Sequence, residues 1–200
     1  LFRLADGQLA LGYALEDQAR PRDALLVYES ALNTDLRLIE LHPDEPRWQA
    51  NAAHCHLCAA LVLIELGERP RAVVHAEQGL EFLDRAIDRH PREVALLADL
   101  SNFHSDLGAA YARHEEHRAA IAHYTASEQA DARLVATDDA DQGGLANLAV
   151  TYDSLAALHE RVGDMAAARR YGELAVRTEE RLCALDPESV DYHARLVQAL

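Results

Sequence analysis

The densest group of residues that could do chemistry is His54-Cys55-His56-Leu57-Cys58. If this segment is helical, His54 and Cys58 lie on one face, and an imidazole and a thiolate are both zinc ligands. Two further ligands would have to come from neighbouring helices, and the sequence points to none. Cys55 and Cys58 also form a Cys-x-x-Cys pair, but a redox pair needs an exposed thiol of low pKa, typically at a helix N-terminus. We therefore favour helix packing for this segment and predict no metal site.

Other motifs with a chemical meaning are incomplete. Segment 114–117 reads His-Glu-Glu-His, which is not the His-Glu-x-x-His order of zinc proteases, and a solvated turn is favoured. Gly143-Gly144 lacks the Lys and Ser or Thr that complete a phosphate-binding loop. No Ser stands in a Gly-x-Ser-x-Gly elbow. The sequence thus predicts no catalytic residues and no cofactor, and a protein that is not an enzyme.

The charge balance narrows the classes of partner. The formal net charge is −15, with 34 acidic residues against 19 basic ones, all of them Arg. Nucleic acids and anionic membranes require basic surface, so neither is an expected partner. The acids are expected on solvated helix faces, usually with an Arg three or four residues away.

The number of cysteines and the hydropathy of the sequence indicate the cellular compartment that we expect. Three Cys imply no disulfide framework and fit a reducing cytoplasm. The longest apolar run, 57–64, is far shorter than the about 20 residues that cross a bilayer. A signal peptide is not apparent, and we expect a cytoplasmic protein. Because the chain starts on Leu, we interpret it as a segment of a longer protein.

The elements that would position these residues repeat every 48 residues. Several independent registers share this period. One register carries alanine at all four positions: Ala24, Ala72, Ala120 and Ala168. A second carries Pro43, Pro91 and Pro187, with Asp139 in the remaining place. A third combines Gly67 and Gly163 with Ala19 and Glu115. Each period therefore corresponds to one structural unit.

Within each unit, apolar residues recur at three- and four-residue steps, which predicts two helices. The first helix of each pair, helix A, is expected at about 1–18, 47–66, 95–114, 141–162 and from 189 onward. The second, helix B, is expected at about 21–41, 69–89, 117–137 and 165–185. Gly67 and Gly163 suit a left-handed position after helix A, Asp164 an N-cap, and Pro21 and Pro70 the first turn of helix B. The expected fold is all-α, a single array over 1–200 with units 1–46, 47–94, 95–140, 141–188 and a partial fifth at 189–200.

The repeat resembles the tetratricopeptide-repeat (TPR) signature. The residues that carry the resemblance are segment 107–111 (Leu-Gly-Ala-Ala-Tyr) with Ala120 and Tyr124, Leu11-Gly12 with Ala24, Tyr28 and Pro43, and Leu155-Ala156 with Gly163, Ala168 and Pro187. The second unit fits less well, since Ala60 and Ala76 stand where glycine or larger residues are usual. The common repeat has 34 residues, so this 48-residue form is similar to a long-helix variant of bacterial multidomain proteins. The resemblance implies a right-handed α-solenoid of antiparallel hairpins and a protein-binding function.

The resemblance also implies a concave groove lined by the A helices. The first two units would contribute an acidic and apolar stretch: Tyr13, Glu16, Asp17, His54, Leu57, Leu61 and Glu65. The next two would contribute mainly small side chains with Arg at one edge: Asn102, Ser105, Ala109, Arg113, Asp153, Ala157, Glu160 and Arg161. The Lys-based clamp for a C-terminal carboxylate is not expected, because the chain has no Lys.

Two functions remain open at this stage. The first is a non-enzymatic scaffold that binds a protein or peptide partner, or another domain of the same chain, in the groove. The alternative is a regulatory or sensor segment of a larger bacterial signalling enzyme, such as a kinase, a caspase-like peptidase or a nucleotide-switch protein. Self-association through uncapped ends is a further expectation, because Leu1, Leu4, Leu196, Val197 and Leu200 would be partly uncovered.

Overall fold

The computed structural model of the chain describes residues 1–137 and 141–199, and these residues form nine α-helices and no strand. The helices are α1 (Phe2–Asp17), α2 (Pro21–Leu41), α3 (Pro46–Glu65), α4 (Arg69–Arg89), α5 (Val94–Arg113), α6 (His117–Thr137), α7 (Gln142–Arg161), α8 (Met165–Leu185) and α9 (Val190–Ala199). The B helices α2, α4, α6 and α8 have the predicted bounds, and each predicted bound of an A helix differs from the observed one by one residue. Asp139 and Leu200 lie outside the described residues.

The chain forms two compact units, Leu1–Asp99 and Leu100–Leu200, and α5 contributes to both. In the first unit, α1 packs on α2, α2 on α3, and α3 on α4. In the second unit, α6 packs on α7, α7 on α8, and α8 on α9. Within each unit these consecutive helices are neighbours, as in antiparallel hairpins, and the all-α prediction is confirmed. That the two units act as one array stays a prediction.

Every turn from helix A to helix B contains a residue in the left-handed region. Gly67 and Gly163 have φ of 75° and 82°, as predicted, and Ala19 and Glu115 adopt 56° and 60° at the equivalent positions. The amide after each of these residues bonds back five residues; for example, the Glu68 amide donates to the Leu63 carbonyl at 2.8 Å. This is the Schellman arrangement, which satisfies carbonyls left free at a helix end. The 48-residue register thus corresponds to one recurring turn.

The starts of the B helices also follow from residue type. Pro21 is the first residue of α2 and Pro70 the second residue of α4, where a missing amide costs no helical hydrogen bond. Asp164 caps α8 as predicted, since its Oδ1 accepts from the Ala167 amide at 3.0 Å. No helix among the described residues is long and apolar enough to cross a membrane.

The core is aliphatic and rich in alanine, so the helices approach one another closely. Ala24, Ala72 and Ala120, which share one register, are buried, and so are Leu63 and Leu155. Small residues at helix contacts let the backbones approach closely, so a well-packed core forms with few aromatic residues. This packing holds the A helices in place and leaves part of their surface exposed.

Candidate partner-binding surface

In the first unit, most of the predicted groove residues are exposed on α1 and α3. The exposed ones are Tyr13, Glu16, Asp17, His54 and Glu65, and Leu61 is half-buried. Leu57 contradicts the prediction, because only 3% of its surface is exposed and it packs in the core. Helical periodicity placed Leu57 three residues from His54, but that position turns inward. The surface of this unit is thus more acidic than the sequence suggested.

In the second unit, the predicted residues lie on the exposed sides of α5 and α7. Those that are exposed are Asn102, Arg113, Asp153, Ala157, Glu160 and Arg161, while Ser105 and Ala109 are half-buried. These positions combine short side chains with charges of both signs. The surface therefore differs in character from that of the first unit.

Two predicted residues of the first unit belong to one side-chain cluster. The Tyr13 hydroxyl on α1 makes a hydrogen bond to Nε2 of His54 on α3. Sγ of Cys58 lies 3.7 Å from the Tyr13 hydroxyl and 3.7 Å from His54 Nε2. Burial, reinforced by Cys58, raises the pKa of the Tyr13 phenol above its usual value. The cluster joins the A helices of two successive hairpins.

Two predicted residues of the second unit line a small polar pocket. The pocket has a volume of about 70 Å³, and its walls are Ser101, Asn102, Ser105, Ser127, Asn147, Val150 and Thr151. The hydroxyls of Ser101 and Ser127 are 3.0 Å apart at its buried side. Donors and acceptors thus converge on a space large enough for one or two polar heavy atoms. Such a pocket could anchor a single polar group of a bound segment.

Histidine pairs join helix A to helix B within two hairpins. Nδ1 of His56 lies 3.1 Å from Nδ1 of His75, and the same distance separates His104 from His123. The contact of His56 agrees with the packing role favoured for segment 54–58. Burial, followed by the neighbouring imidazole, lowers the pKa of His56 and of His104 to about 4. These imidazoles are therefore neutral at physiological pH.

Buried acids occupy one register of the repeat, and their burial was not predicted. Asp35, Asp131 and Glu179, which share one register of the 48-residue period, are at most 1% exposed, whereas the acids were expected on solvated faces. The Cys55 thiol donates to Asp35 at 3.4 Å, and the Arg195 guanidinium lies 3.8 Å from Glu179. The sequence did contain a signal of burial, because the remaining position of this register holds an apolar residue, Leu83. Leu83 is buried as well.

Burial changes the protonation of these acids. It raises the pKa of Asp35 and of Asp131 to about 6. The Cys55 thiol limits the rise at Asp35, and the hydroxyls of Ser101 and Thr151 limit it at Asp131. A carboxylate in this environment loses hydration, and a thiol or hydroxyl replaces only part of it.

The part of the chain that the structure describes contains no group of three His, Cys, Asp or Glu side chains that could hold a metal ion. The segment His54–Cys58 lies in the middle of α3, where Cys55 and Cys58 are buried. This placement removes the redox pair considered for Cys55 and Cys58, which needs an exposed thiol at a helix N-terminus.

Comparison with known proteins relates the chain to solved structures only. No model of a known protein family matches it, and no curated protein is similar to it in sequence. It is similar in structure to BtubC (BKLC) from P. vanneervenii, with a TM-score of 0.64 and 18% identity over 90% of this chain and 64% of BtubC. The chain thus spans less than two thirds of that protein.

Two further solved structures align with most of this chain. A protein described as DHF58 filament superposes with a TM-score of 0.51 and 14% identity over 96% of this chain and 93% of that one. A thermophilic TPR protein from Thermus thermophilus aligns over 98% of both chains at 19% identity, but its TM-score of 0.43 is too low to support a conclusion. Identities this low show a shared fold and nothing further. The hairpins and their recurring turn show that the described residues have the helical-repeat fold that the sequence predicts, and BtubC and the DHF58 filament protein share this fold.

Proposed function

We propose that the chain is a non-enzymatic scaffold that binds a segment of a partner protein along the exposed sides of its A helices. The observation that carries the proposal is the polar pocket beside Asn102 and Ser105, which lies among exposed residues of α5 and α7. A helical repeat that leaves such a surface uncovered is suited to holding an extended or helical segment. The partner can be a separate protein or another domain of the same chain.

The charge of the exposed residues indicates which kind of segment each unit would accept. Glu16, Asp17 and Glu65 in the first unit favour a basic segment. In the second unit, Arg113 and Arg161 are exposed together with Asp153 and Glu160, so this surface suits polar groups of either sign.

The test is an affinity capture from lysate of the source organism, read by mass spectrometry. The parent chain is compared with a variant of the A-helix surface, Asp17→Arg, Glu65→Arg, Asn102→Ala, Arg113→Glu and Arg161→Glu. A matched control carries charge reversals at exposed B-helix positions, Glu77→Arg, Asp88→Arg, Arg133→Glu and Arg177→Glu.

A protein that is captured by the parent and by the control, and lost by the A-helix variant, supports the proposal. If a protein is captured by the parent and by the A-helix variant but not by the control, it binds the B-helix surface. That outcome contradicts the proposal. If no protein is captured, the function is intramolecular or structural, and the proposed separate partner is wrong.

A further inference from the structure

The cluster of Tyr13, His54 and Cys58 contains three different metal-binding atoms within contact of one another. They are a phenol oxygen, an imidazole nitrogen and a thiol sulfur. The sequence supplied only His54 and Cys58, one turn apart on α3, and no further ligand was apparent. The fold supplies the third one from α1, because packing of the first two hairpins brings the Tyr13 hydroxyl to the same point.

Two of the three spacings between these atoms fit a tetrahedral ion. Zinc binds Cys sulfur at about 2.3 Å and His nitrogen at about 2.0–2.1 Å, so the two atoms lie about 3.6 Å apart in a tetrahedral site. His54 Nε2 and Cys58 Sγ are 3.7 Å apart, and so are the Tyr13 hydroxyl and Cys58 Sγ. The Tyr13 hydroxyl and His54 Nε2 are joined by a hydrogen bond, so they would move apart for a metal ion to take the place of its proton.

The repeat itself does not require these residues. At the equivalent positions one repeat further along, the chain carries Leu61, Asn102 and Asp106, and two repeats further along it carries Ala109, Val150 and Ser154. Different residue types thus serve the same positions of the fold. Only the set on α1 and α3 combines an imidazole, a thiol and a phenol, which is a reason beyond packing to look for a ligand there.

The surroundings of the cluster also favour a cation. The carboxylates of Glu16 and Asp99 act electrostatically on Tyr13 and His54, respectively. Tyr13 and His54 are exposed, so an ion can reach the cluster from solvent, whereas Cys58 is buried and protected. Negative charge around a partly exposed set of donors raises the local concentration of cations.

We propose that Tyr13, His54 and Cys58 form a three-ligand site for a divalent transition-metal ion of the zinc type. Imidazole and thiolate select such ions over Mg²⁺ and Ca²⁺, which prefer oxygen. Three protein ligands leave the fourth position for water, and the Cys58 thiol and the Tyr13 hydroxyl each release a proton to solvent when the ion binds. This site does not depend on the chain binding a partner protein.

The test is a titration of the purified chain with Co²⁺, followed by displacement with Zn²⁺, in a Cys183→Ser background that removes the partly exposed thiol. We expect one Co²⁺ per chain, with tetrahedral d–d absorption and a thiolate-to-cobalt charge-transfer band. Cys58→Ser removes the charge-transfer band. Tyr13→Phe and His54→Gln each weaken binding at least about tenfold, because even an outer-shell residue typically costs 10- to 100-fold.

The matched control is Ser105→Ala with Ser154→Ala in the second unit, which leaves Co²⁺ binding unchanged. Far-UV circular dichroism shows whether each variant is folded; if Cys58→Ser is not, the conservative Tyr13→Phe variant decides. Absence of a charge-transfer band in the parent overturns the site. Equal affinity of the Tyr13→Phe variant and the parent also overturns it.

Discussion

Gly12 and Tyr28 pack so closely that a β-carbon on residue 12 would lie 2.2 Å from Cε1 of the tyrosine ring. Gly108 and Tyr124 repeat this contact, at 2.9 Å from Cδ2. The other two hairpins have no ring at this place, and their equivalent pairs are Ala60 with Ala76 and Ala156 with Gly172. A tyrosine ring at the second position is therefore accompanied by glycine at the first, and alanine occupies the first position where the ring is missing.

We expect Gly12→Ala to lower the free energy of unfolding by about 1–3 kcal/mol, because the added methyl group overlaps the Tyr28 ring. Urea denaturation of the purified chain measures the change. Gly7→Ala in the same helix is the control, since nothing lies within 4 Å of its β-carbon, and it should raise the free energy by about 0.5–1 kcal/mol. In a Tyr28→Ala background the cost of Gly12→Ala should fall; an unchanged cost would contradict the matched pair.

We expect Ala19→Gly and Glu115→Gly each to raise the free energy of unfolding by about 1 kcal/mol. Both residues have positive φ, where a side chain clashes with the following carbonyl and glycine does not. Thermal unfolding followed by circular dichroism measures the gain. Gly67→Ala is the control with the opposite sign, and a loss of stability in Ala19→Gly would show that residue 19 has a different conformation.

Asp131→Asn should stabilise the chain by about 1–2 kcal/mol at pH 8 and by much less at pH 4.5. Burial raises the pKa of Asp131 to about 6, above the about 3.9 of an unfolded chain. Its contribution is therefore favourable below pH 4, is lost between about pH 4 and 6, and stays lost above. Urea denaturation at both pH values, with the exposed Asp88→Asn as control, checks the difference. A gain independent of pH would rule out a buried charge as its cause.

The double substitution His104→Tyr and His123→Tyr should make the chain less sensitive to acid. It copies the Tyr152–Tyr171 pair, whose ring centroids are 6.0 Å apart one repeat later. Because burial lowers the pKa of His104 to about 4, the unfolded chain binds a proton at this residue at a higher pH than the folded chain does. Stability present above pH 6.5 is then lost between about pH 6.5 and 4.

Unfolding of this double variant and of the parent is compared at pH 7.5 and 4.5. The difference in their free energies of unfolding should be about 1–2 kcal/mol larger at the lower pH. An equal difference at both pH values would show that the histidine pair does not titrate in this range. Thermal unfolding provides an independent reading of the same change.

Most of the fold could be predicted because it depends on local signals that recur. Pro21, Gly67 and Asp164 mark helix ends by backbone geometry and capping, which a sequence displays directly. The 48-residue period then repeats each boundary several times, so an error at one is corrected by the others. The four B helices accordingly have the predicted bounds.

The surface was harder to predict, because exposure depends on how helices rotate against one another. Leu57 and Leu61 are four residues apart on α3, yet the first is buried and the second half-buried. The meeting of Tyr13 with Cys58 joins residues 45 positions apart and needs the packing of three helices. A rule of helix periodicity fixes a face within one helix and says little about contacts between helices.

Asp35 and Asp131 show a different limit. An acid in a helical sequence is normally solvated, and only comparison with Leu83 in the same register could have indicated burial. The polar pocket beside Asn102 is likewise made by residues of three helices. The helices that carry the surface were thus predictable from local signals, whereas the role of each residue on it depends on contacts between helices.

Leu83 affects the order in which the hairpins of the repeat unfold. In a stacked repeat, stability is approximately a sum of local terms and nearest-neighbour terms. The second hairpin, α3 and α4, has hydrocarbon where the other three B helices bury a carboxyl group. It should therefore be the most persistent segment: its amides would exchange with solvent deuterium last, and refolding would start there and spread to its neighbours.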